Sequence, residues 1–324
     1  MKRRSSGLEG ALVVNKPSGC TSHDVVGSVR RALGERRVGH GGTLDPDATG
    51  VLVLAVGPAT RLLRYVSDLD KTYTAEVVLG TATSTLDASG EVTERVDMTG
   101  VTLADVTAAA RSLTGVIQQV PPMVSAIKVG GKRLYELARE GIEVDRAPRS
   151  VTVSRFDVAP GPDPGTVAIS VDCSSGTYVR SLAADLGAAL GGVAHLRELV
   201  RTRIGPFSLG DACRLDEVDV ARLGAPTDLV RHLGRVEVAP AVATMVVHGR
   251  VLDRATLGAD GDGPWVVTAS GRLLAIYEAH RHDLVKPQLV YAPLPGDQSA
   301  PAAGATAGGP PGHPGGDERP VGST

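Results

Sequence analysis

The alternation of apolar and polar positions predicts interspersed strands and helices along the first two hundred residues. Apolar or alternating runs predict strands, and they occur at 11–14, 51–56, 71–79, 149–158 and 166–173. Helical spacing behind capping residues predicts helices, and it occurs after Thr21 or Ser22, over 60–66, over 103–113 and at about 178–190. No regular strand–helix–strand rhythm repeats, and several strands are adjacent. We therefore predict an α+β fold with a mixed or antiparallel sheet and flanking helices.

Two of these helices carry specific local signals. In the first, an apolar stripe at helical spacing predicts the buried face, and it consists of Val25, Val26, Val29 and Leu33. The second follows Thr102 as N-cap, with Asp105 three residues later as a relative of the capping box and Gly115 as a stop signal.

Beyond about residue 225 the pattern weakens and changes in character. β signals at 246–247, 265–267, 273–277 and 288–291, with a Ser-Gly turn at 270–271, predict a small β-rich module. The stretch 295–324 is mostly Pro, Gly, Ala and Ser, which cannot bury enough apolar surface to offset the entropy of ordering. We predict a main domain at 1–235, a C-terminal module at 236–294 and a disordered tail at 295–324.

Composition narrows the class of protein. A chain of 324 residues with 42% hydrophobic residues suits one large or two medium domains. No apolar run approaches the ~20 residues that span a bilayer, and the apolar stretch behind the basic N-terminus is too short for a signal peptide. The three cysteines are far apart, so we expect reduced thiols and no structural zinc. We expect a cytoplasmic protein.

The net charge of −2 hides local basic segments. Residues 1–64 hold ten Lys/Arg against five Asp/Glu, and residues 119–156 hold seven against four. Local basic surface is what phosphate binding needs. The charge pattern therefore permits a nucleic-acid partner without demonstrating one.

One loop carries the strongest candidate for chemistry. His-Gly-Gly-Thr-Leu-Asp-Pro-Asp-Ala-Thr-Gly at 40–50 places Asp45 before a proline, which holds its backbone extended, and ahead of an apolar strand. It is not a P-loop, because the Gly-Lys-Ser/Thr signature is absent. Asp45 and Asp47 superficially resemble a phosphatase aspartate loop, but glycines rather than an apolar strand precede them. An ordinary Gly/Asp surface turn stays open as an interpretation of the loop alone.

Three other segments are weaker candidates when each is taken alone. Arg180, between a strand and a helix, is a possible partner for the Asp45 carboxylate. Tyr73, at the start of a strand, could stack on a base, although a half-buried tyrosine is the commoner role. The segment 119–136 combines prolines, glycines and a basic cluster, and the cluster consists of Lys128, Lys132 and Arg133.

Taken together and in order, these segments resemble one family. The carriers are Asn-Lys-Pro-Ser-Gly-Cys-Thr-Ser at 15–22, the glycine loop at 39–52, Lys-Thr-Tyr at 71–73, Gln-Val-Pro-Pro at 119–122 with Ser-Ala at 125–126, Gly-Thr-Tyr-Val-Arg at 176–180, and Ala-His-Leu-Arg at 194–197. Over roughly residues 8–210 the chain is similar to the bacterial TruB-type tRNA pseudouridine synthases.

The resemblance implies a fold, a reaction and a site. It implies a pseudouridine-synthase sheet, a mobile RNA-binding insertion at about 119–145 and a PUA-like module at the C-terminus. It implies isomerisation of the uridine at position 55 in the T-stem-loop of tRNA, by base flipping and without cofactor or metal. The catalytic set is Asp45, Tyr73 and Arg180, and the substrate-binding set is His40, Tyr178, Leu199, Gly41, Gly42, Lys16, Lys128, Lys132 and Arg133. We expect a monomer whose partner is the tRNA T arm.

The chain departs from the family pattern at three positions. Val124 stands where the family has tyrosine, Thr43 where alanine is common and Asp47 where leucine is common. We expect Asp47 to point outward, because a second carboxylate facing the pocket would raise the pKa of Asp45. A tRNA-folding chaperone remains an alternative or additional function, and a synthase acting on ribosomal RNA or another tRNA position is a further one.

Overall fold

A computed structural model describes residues 7–291, except 126, 127, 130, 135, 136, 138, 139 and 143. At 128, 129, 132 and 133 it describes the main chain only. The predicted tail at 295–324 lies outside the described residues.

The secondary structure of this part follows the predicted order. The strands are β1 Gly10–Lys16, β2 Val38–His40, β3 Thr49–Val56, β4 Lys71–Leu79, β5 Thr81–Thr83, β6 Val92–Arg95, β7 Gly115–Gln119, β8 Lys128–Val129, β9 Lys132–Arg133, β10 Arg149–Pro160, β11 Thr166–Cys173, β12 Ala194–Ile204, β13 Phe207–Ser208, β14 Cys213–Arg214, β15 Gly234–Glu237, β16 Leu252–Asp253, β17 Trp265–Ala269, β18 Arg272–Ala279 and β19 Leu284–Val290. The α-helices are α1 Ser22–Leu33, α2 Arg64–Ser67, α3 Leu103–Ser112, α4 Val179–Ala189, α5 Pro240–Val247 and α6 Arg254–Leu257. Short 3-10 helices span Gly57–Leu62, Leu209–Asp211, Leu215–Glu217, Val220–Arg222 and Pro226–Val230.

The larger sheet is mixed, as predicted for the α+β class. Its strand order is β14-β1-β3-β12-β4-β11-β10-β7, with β2 added beside β3 and β13 beside β12. The β1–β14 and β3–β12 pairs are parallel, and the other pairs on this path are antiparallel. The central strand β12 comes late in the chain, so the order brings residues near 200 between residues near 50 and near 73.

The helices α1 and α3 pack with their apolar faces in the core clusters. The four apolar residues of the α1 stripe pack with Leu12, Val14, Leu52 and Leu54 in one core cluster. Thr21 and Asp24 form a capping box at its start, and Gly34 ends it at φ 62°. The α3 helix has the predicted box of Thr102 and Asp105, and it packs with α4 in a second core cluster. Each fully buried valine or leucine contributes roughly 1.5–3 kcal/mol to folding.

The C-terminal residues form a second, five-stranded sheet in the order β15-β17-β18-β19-β16. The predicted strands at 265–267 and 273–277 are confirmed by β17 and β18. The β signal at 246–247 is wrong, because both valines lie in α5, which starts at Pro240 and buries Ala243 and Val246. A short apolar run fits a buried helix as well as a strand, and periodicity cannot distinguish the two.

The two sheets share an apolar core. Val266, Leu273, Ile276 and Tyr291 of the C-terminal sheet region pack in one cluster with residues of β1 and β3. Among the described residues, no helix combines the length and apolarity needed to cross a membrane.

Candidate active site

The candidate catalytic loop joins β2 to β3 and is anchored on both sides of Asp45. Leu44 is buried at 4% exposure, and its amide and carbonyl are both bound by the Ser22 hydroxyl at 2.9 and 3.0 Å. On the other side, the Pro46 carbonyl accepts hydrogen bonds from the Gly19 amide and the Lys16 ammonium. These contacts fix the backbone around Asp45, whose side chain is 39% exposed.

Arg180 is the ion-pair partner of Asp45. Its Nε lies 2.9 Å from Asp45 Oδ2, and its side chain is only 4% exposed. Its terminal nitrogens donate to the carbonyls of Thr85 at 3.2 Å and Val124 at 2.9 Å. Because each of its three nitrogens has a partner, the guanidinium is fixed and holds the carboxylate in one place.

Asp87 is a second carboxylate at Arg180, and the sequence interpretation missed it. Its Oδ2 lies 3.5 Å from Arg180 Nε, while its Oδ1 accepts from the Thr85 hydroxyl at 2.5 Å and from the Ser89 amide at 3.1 Å. In the sequence this aspartate stands among Ser, Thr and Gly, which is typical of a surface turn. Only its distance from Arg180 distinguishes it.

The pKa of Asp45 is raised above its ordinary value. Burial is the largest cause, the Arg180 charge opposes it, and the neighbouring Asp87 charge adds to the rise. The neighbouring carboxylate that raises the pKa of Asp45 is therefore Asp87 and not Asp47. Asp47 is exposed, as expected, although it also lines one of the cavities beside Asp45.

Asp45 stands between two cavities, whose shared wall also contains Arg180 and Leu199. The smaller, of about 210 Å³, is lined by Tyr73 and Tyr178. The larger, of about 470 Å³, is lined by Asp47, Asp87, Arg197 and Glu198 among others. The smaller cavity places aromatic side chains beside a carboxylate, and aromatic rings are surfaces on which a nucleic-acid base can stack.

The two tyrosines reach the smaller cavity from different elements. Tyr73 comes from β4 and is 8% exposed, and Tyr178 is the residue before α4. The Gln119 side chain accepts from the Tyr178 amide at 2.8 Å and donates to its carbonyl at 3.1 Å, which holds this backbone in place. Burial is the main cause that raises the pKa of both phenols, so both stay protonated at neutral pH.

The remaining predicted residues of the loop region support the backbone. His40 ends β2, and its Nδ1 accepts from the Gly42 amide at 3.4 Å. Burial lowers the His40 pKa, and the Arg201 charge adds to this. Gly41 is packed so closely that an added Cβ would lie 2.8 Å from the Val66 side chain.

Lys16 corrects one prediction. We expected it to bind substrate, but the side chain is fully buried. Its ammonium donates to the carbonyls of Pro17, Cys20 and Pro46 at 2.7–2.8 Å, which uses all three of its protons. No donor remains for an RNA phosphate, so its place in the structure is that of a loop anchor.

The predicted basic cluster at Lys128, Lys132 and Arg133 forms the short β8–β9 pair, and its side chains lie outside the described part of the chain. The start of the predicted mobile insertion is packed. Gln119, Pro121, Pro122 and Ser125 are buried, and the Ser181 hydroxyl donates to the Val120 carbonyl at 3.0 Å.

Two buried cations in the smaller cavity were also missed. Lys71 is 7% exposed and donates to the Ser67 carbonyl at 2.6 Å, and burial lowers its pKa to about 8. Arg201, on β12, is 1% exposed. Lys71 belongs to the Lys-Thr-Tyr segment of the family pattern, but the sequence assigned no role to either residue, because lysine and arginine in a strand are usually exposed.

No group of residues in the described ranges has the composition and spacing of a metal site. The cysteines are free thiols; Cys173 and Cys213 are buried and Cys20 is partly exposed.

Comparison with known proteins assigns the chain to a family. A family model described as TruB family pseudouridylate synthase (N terminal domain) matches residues 30–179, and one described as tRNA pseudouridylate synthase B C-terminal domain matches residues 180–239. The chain is 52% identical to tRNA pseudouridine synthase B of Symbiobacterium thermophilum, over 76% of this chain and 83% of the relative. It is 42% identical to the protein of that name from Geobacillus thermodenitrificans, over 88% of this chain and all of the relative.

Solved structures agree with this assignment. The chain is similar to a protein in the crystal structure of a Cbf5-Nop10-Gar1 complex, with a TM-score of 0.67, 26% identity and coverage of 88% of this chain and 85% of that one. This similarity covers more of the chain than residues 30–239, which the two family models match. This chain belongs to the TruB family of pseudouridylate synthases.

Proposed function

We propose that this protein isomerises uridine to pseudouridine at position 55 in the T-stem-loop of tRNA, with Asp45 as the catalytic residue. The observation that carries the proposal is the Asp45–Arg180 ion pair of 2.9 Å at the wall of a cavity lined by Tyr73 and Tyr178. Curated relatives named tRNA pseudouridine synthase B support the same reaction.

The reaction has simple requirements. The N1–C1′ bond of uridine breaks, the uracil turns, and a C5–C1′ bond forms. The proton on C5 leaves and N1 gains one, so that no atoms or electrons are added. An ionised carboxylate near C1′ and a site that retains the detached base are needed. Asp45 supplies the carboxylate, and the smaller cavity of about 210 Å³ supplies the site.

Arg180 and Tyr73 have separate roles in the proposed reaction. Arg180 keeps Asp45 ionised and oriented, because its charge opposes the effect of burial on the Asp45 pKa. Tyr73 stacks on the uracil. Because burial raises the pKa of its phenol, the group is neutral, and it accepts the C5 proton only by passing its own proton on.

The target base must leave the folded T loop to reach this cavity, at a cost of a few kcal/mol. We propose that His40 takes the vacated place in the loop and that Leu199 and Tyr178 line the base. Recognition rests chiefly on the shape of the T arm. We further propose a main domain at 1–235 and a PUA-like RNA-binding module at 236–294, which acts as part of a monomer.

The central test uses Asp45→Asn with a T-arm transcript tritiated at uracil C5. We expect the variant to release no tritium while it binds the transcript as the wild type does, because asparagine keeps the shape and removes the charge. Asp216→Asn is the matched control, since Asp216 is a surface residue paired with Arg214. Substantial release by Asp45→Asn would overturn the assignment.

A second measurement addresses the alternative of an RNA chaperone. Pseudouridine is mapped in cellular RNA with and without the protein. A single change in the T loop of tRNA supports the proposal. Binding and refolding of tRNA by the wild type without any isomerisation would instead support the chaperone, and changes confined to ribosomal RNA would overturn the substrate.

A further inference from the structure

Arg201 is a fully buried cation that donates hydrogen bonds to three main-chain carbonyls, and its side chain is also hydrogen-bonded to that of Tyr73. Its Nε donates to Val51 at 2.9 Å, and its two terminal nitrogens donate to Thr43 at 2.9 Å and Gly42 at 3.1 Å. The guanidinium cannot lose its charge in a protein, so burying it is costly unless its donors are occupied. Here the acceptors lie at the start and just beyond the end of the loop that carries Asp45.

The main chain of Arg201 contacts the same loop from its other end. Arg201 is paired with Gly50 across the parallel β3–β12 contact. A Cβ added to Gly50 would lie 2.2 Å from the Arg201 carbonyl oxygen, and Gly50 has φ 110°. This approach is therefore possible only at a glycine. One residue thus holds both ends of the loop 42–50.

The strand β12 is irregular on both sides of this point. Its pairing with β4 shifts register between Arg197 and Val200 and again between Arg201 and Arg203. Register shifts of this kind redirect side chains beside functional sites. Leu199 and Arg201 both reach the cavity that contains Asp45, although the exposed Arg203 is only two residues further on.

We propose that Arg201 is a positioning residue, which sets the conformation of the loop 42–50 and thereby places the Asp45 carboxylate against the target base. The inference rests on the proposed function of Asp45. Burial raises the pKa of Asp45 and of Tyr73, and the Arg201 charge opposes part of this rise, so it favours the ionised carboxylate. This effect of the Arg201 charge is separate from the hydrogen bonds by which its guanidinium holds the loop.

The test compares Arg201→Met, Arg201→Lys and the control Arg203→Met, whose side chain is exposed on the same strand. Single-turnover tritium release is measured between pH 5 and 9, together with transcript affinity. We expect Arg201→Met to lose about 100-fold in rate, as a misplaced group does, with affinity changed less than about threefold. The acid limb of its pH–rate profile, which is the fall in rate as Asp45 becomes protonated, should also move to higher pH. The reason is that the Arg201 charge no longer opposes the rise in the Asp45 pKa.

Arg201→Lys separates charge from geometry. A lysine keeps the charge but lacks the fork that reaches two carbonyls. We expect its acid limb to stay in place while its rate falls about 10-fold. Arg203→Met should retain the wild-type rate and pH profile. An unchanged rate per folded molecule in Arg201→Lys and Arg201→Met would overturn the proposal, and so would an acid limb that moves equally in both.

A measurement without substrate distinguishes this inference from the proposed function. Amide hydrogen exchange of a peptide covering 42–50 should be faster in Arg201→Lys than in the wild type at matched global stability. Unchanged exchange would refute the loop anchor whatever the enzyme does. If the wild type isomerises no uridine, the proposed function fails, and the exchange result still decides whether Arg201 holds the loop.

Discussion

Replacing Gly50 by alanine tests the contact on which the geometry of the catalytic loop depends. At φ 110° an L-residue is strained, and the new Cβ would lie 2.2 Å from the Arg201 carbonyl oxygen and 2.9 Å from its carbonyl carbon and amide nitrogen. All three atoms belong to the main chain, so no side-chain rotation relieves the overlap. The parallel contact between β3 and β12 must open by about 1 Å to restore an ordinary van der Waals separation.

The expected loss combines two contributions. Backbone strain at such a position costs about 1–3 kcal/mol. Opening the contact also weakens the three hydrogen bonds from the Arg201 guanidinium, each worth about 1.5–3 kcal/mol as a charged bond. Because some of these bonds reform after relaxation, we expect Gly50→Ala to lower the free energy of unfolding by about 4 kcal/mol.

Urea unfolding followed by circular dichroism measures this loss, with Gly34→Ala as the matched control. Gly34 has φ 62°, and an added Cβ there would meet no atom within 4 Å, so alanine brings strain without overlap. We expect the control to lose about 1–2 kcal/mol and to keep full activity. Equal losses at the two positions would refute the close approach of β12 to Gly50.

Three further predictions follow from the ionisable groups. Asp87→Asn should move the acid limb of the pH–rate profile to lower pH, because the Asp87 charge raises the pKa of Asp45. A move to higher pH would contradict the placement of both carboxylates beside Arg180. The pKa of Lys71 is about 8 in the folded protein, against an ordinary value of 10.5. Between these pH values the unfolded state therefore binds more protons than the folded state. The free energy of unfolding of the wild type should rise relative to that of Lys71→Met as the pH increases from 8 to 10.5. Unfolding curves across this range measure the gain, and a parallel pH dependence of the two proteins would refute it. Burial raises the Cys173 pKa to about 11, so a disulfide reagent at pH 7.5 should label the partly exposed Cys20 quickly and Cys173 only on unfolding, as peptide mapping would reveal.

The local sequence determined the elements whose signals lie within a few residues of one another. The apolar spacing and N-cap of α1 and the capping box of α3 are contacts between neighbours in the chain, and the structure confirms both. The alternation at Lys71–Leu79 likewise gave the bounds of β4. The order of the six family segments indicated the family, which the comparisons confirm.

Only the tertiary structure determined which site residues are in contact. Asp45 and Arg180 are 135 positions apart, and the pair at 2.9 Å depends on the order in which the strands assemble. No local pattern indicated Asp87, which lies in a turn that resembles any surface turn.

Tertiary structure also decided which charges are buried. Lys16, Lys71 and Arg201 look like solvated residues in the sequence, because a strand's own pattern does not show which carbonyls will surround a side chain. The three carbonyls that bind Arg201, and the Pro46 carbonyl that binds Lys16, come from distant parts of the chain, whereas Lys71 donates to the nearby Ser67 carbonyl. A charged group remains in the interior only where such acceptors converge, and their convergence is a property of the folded chain.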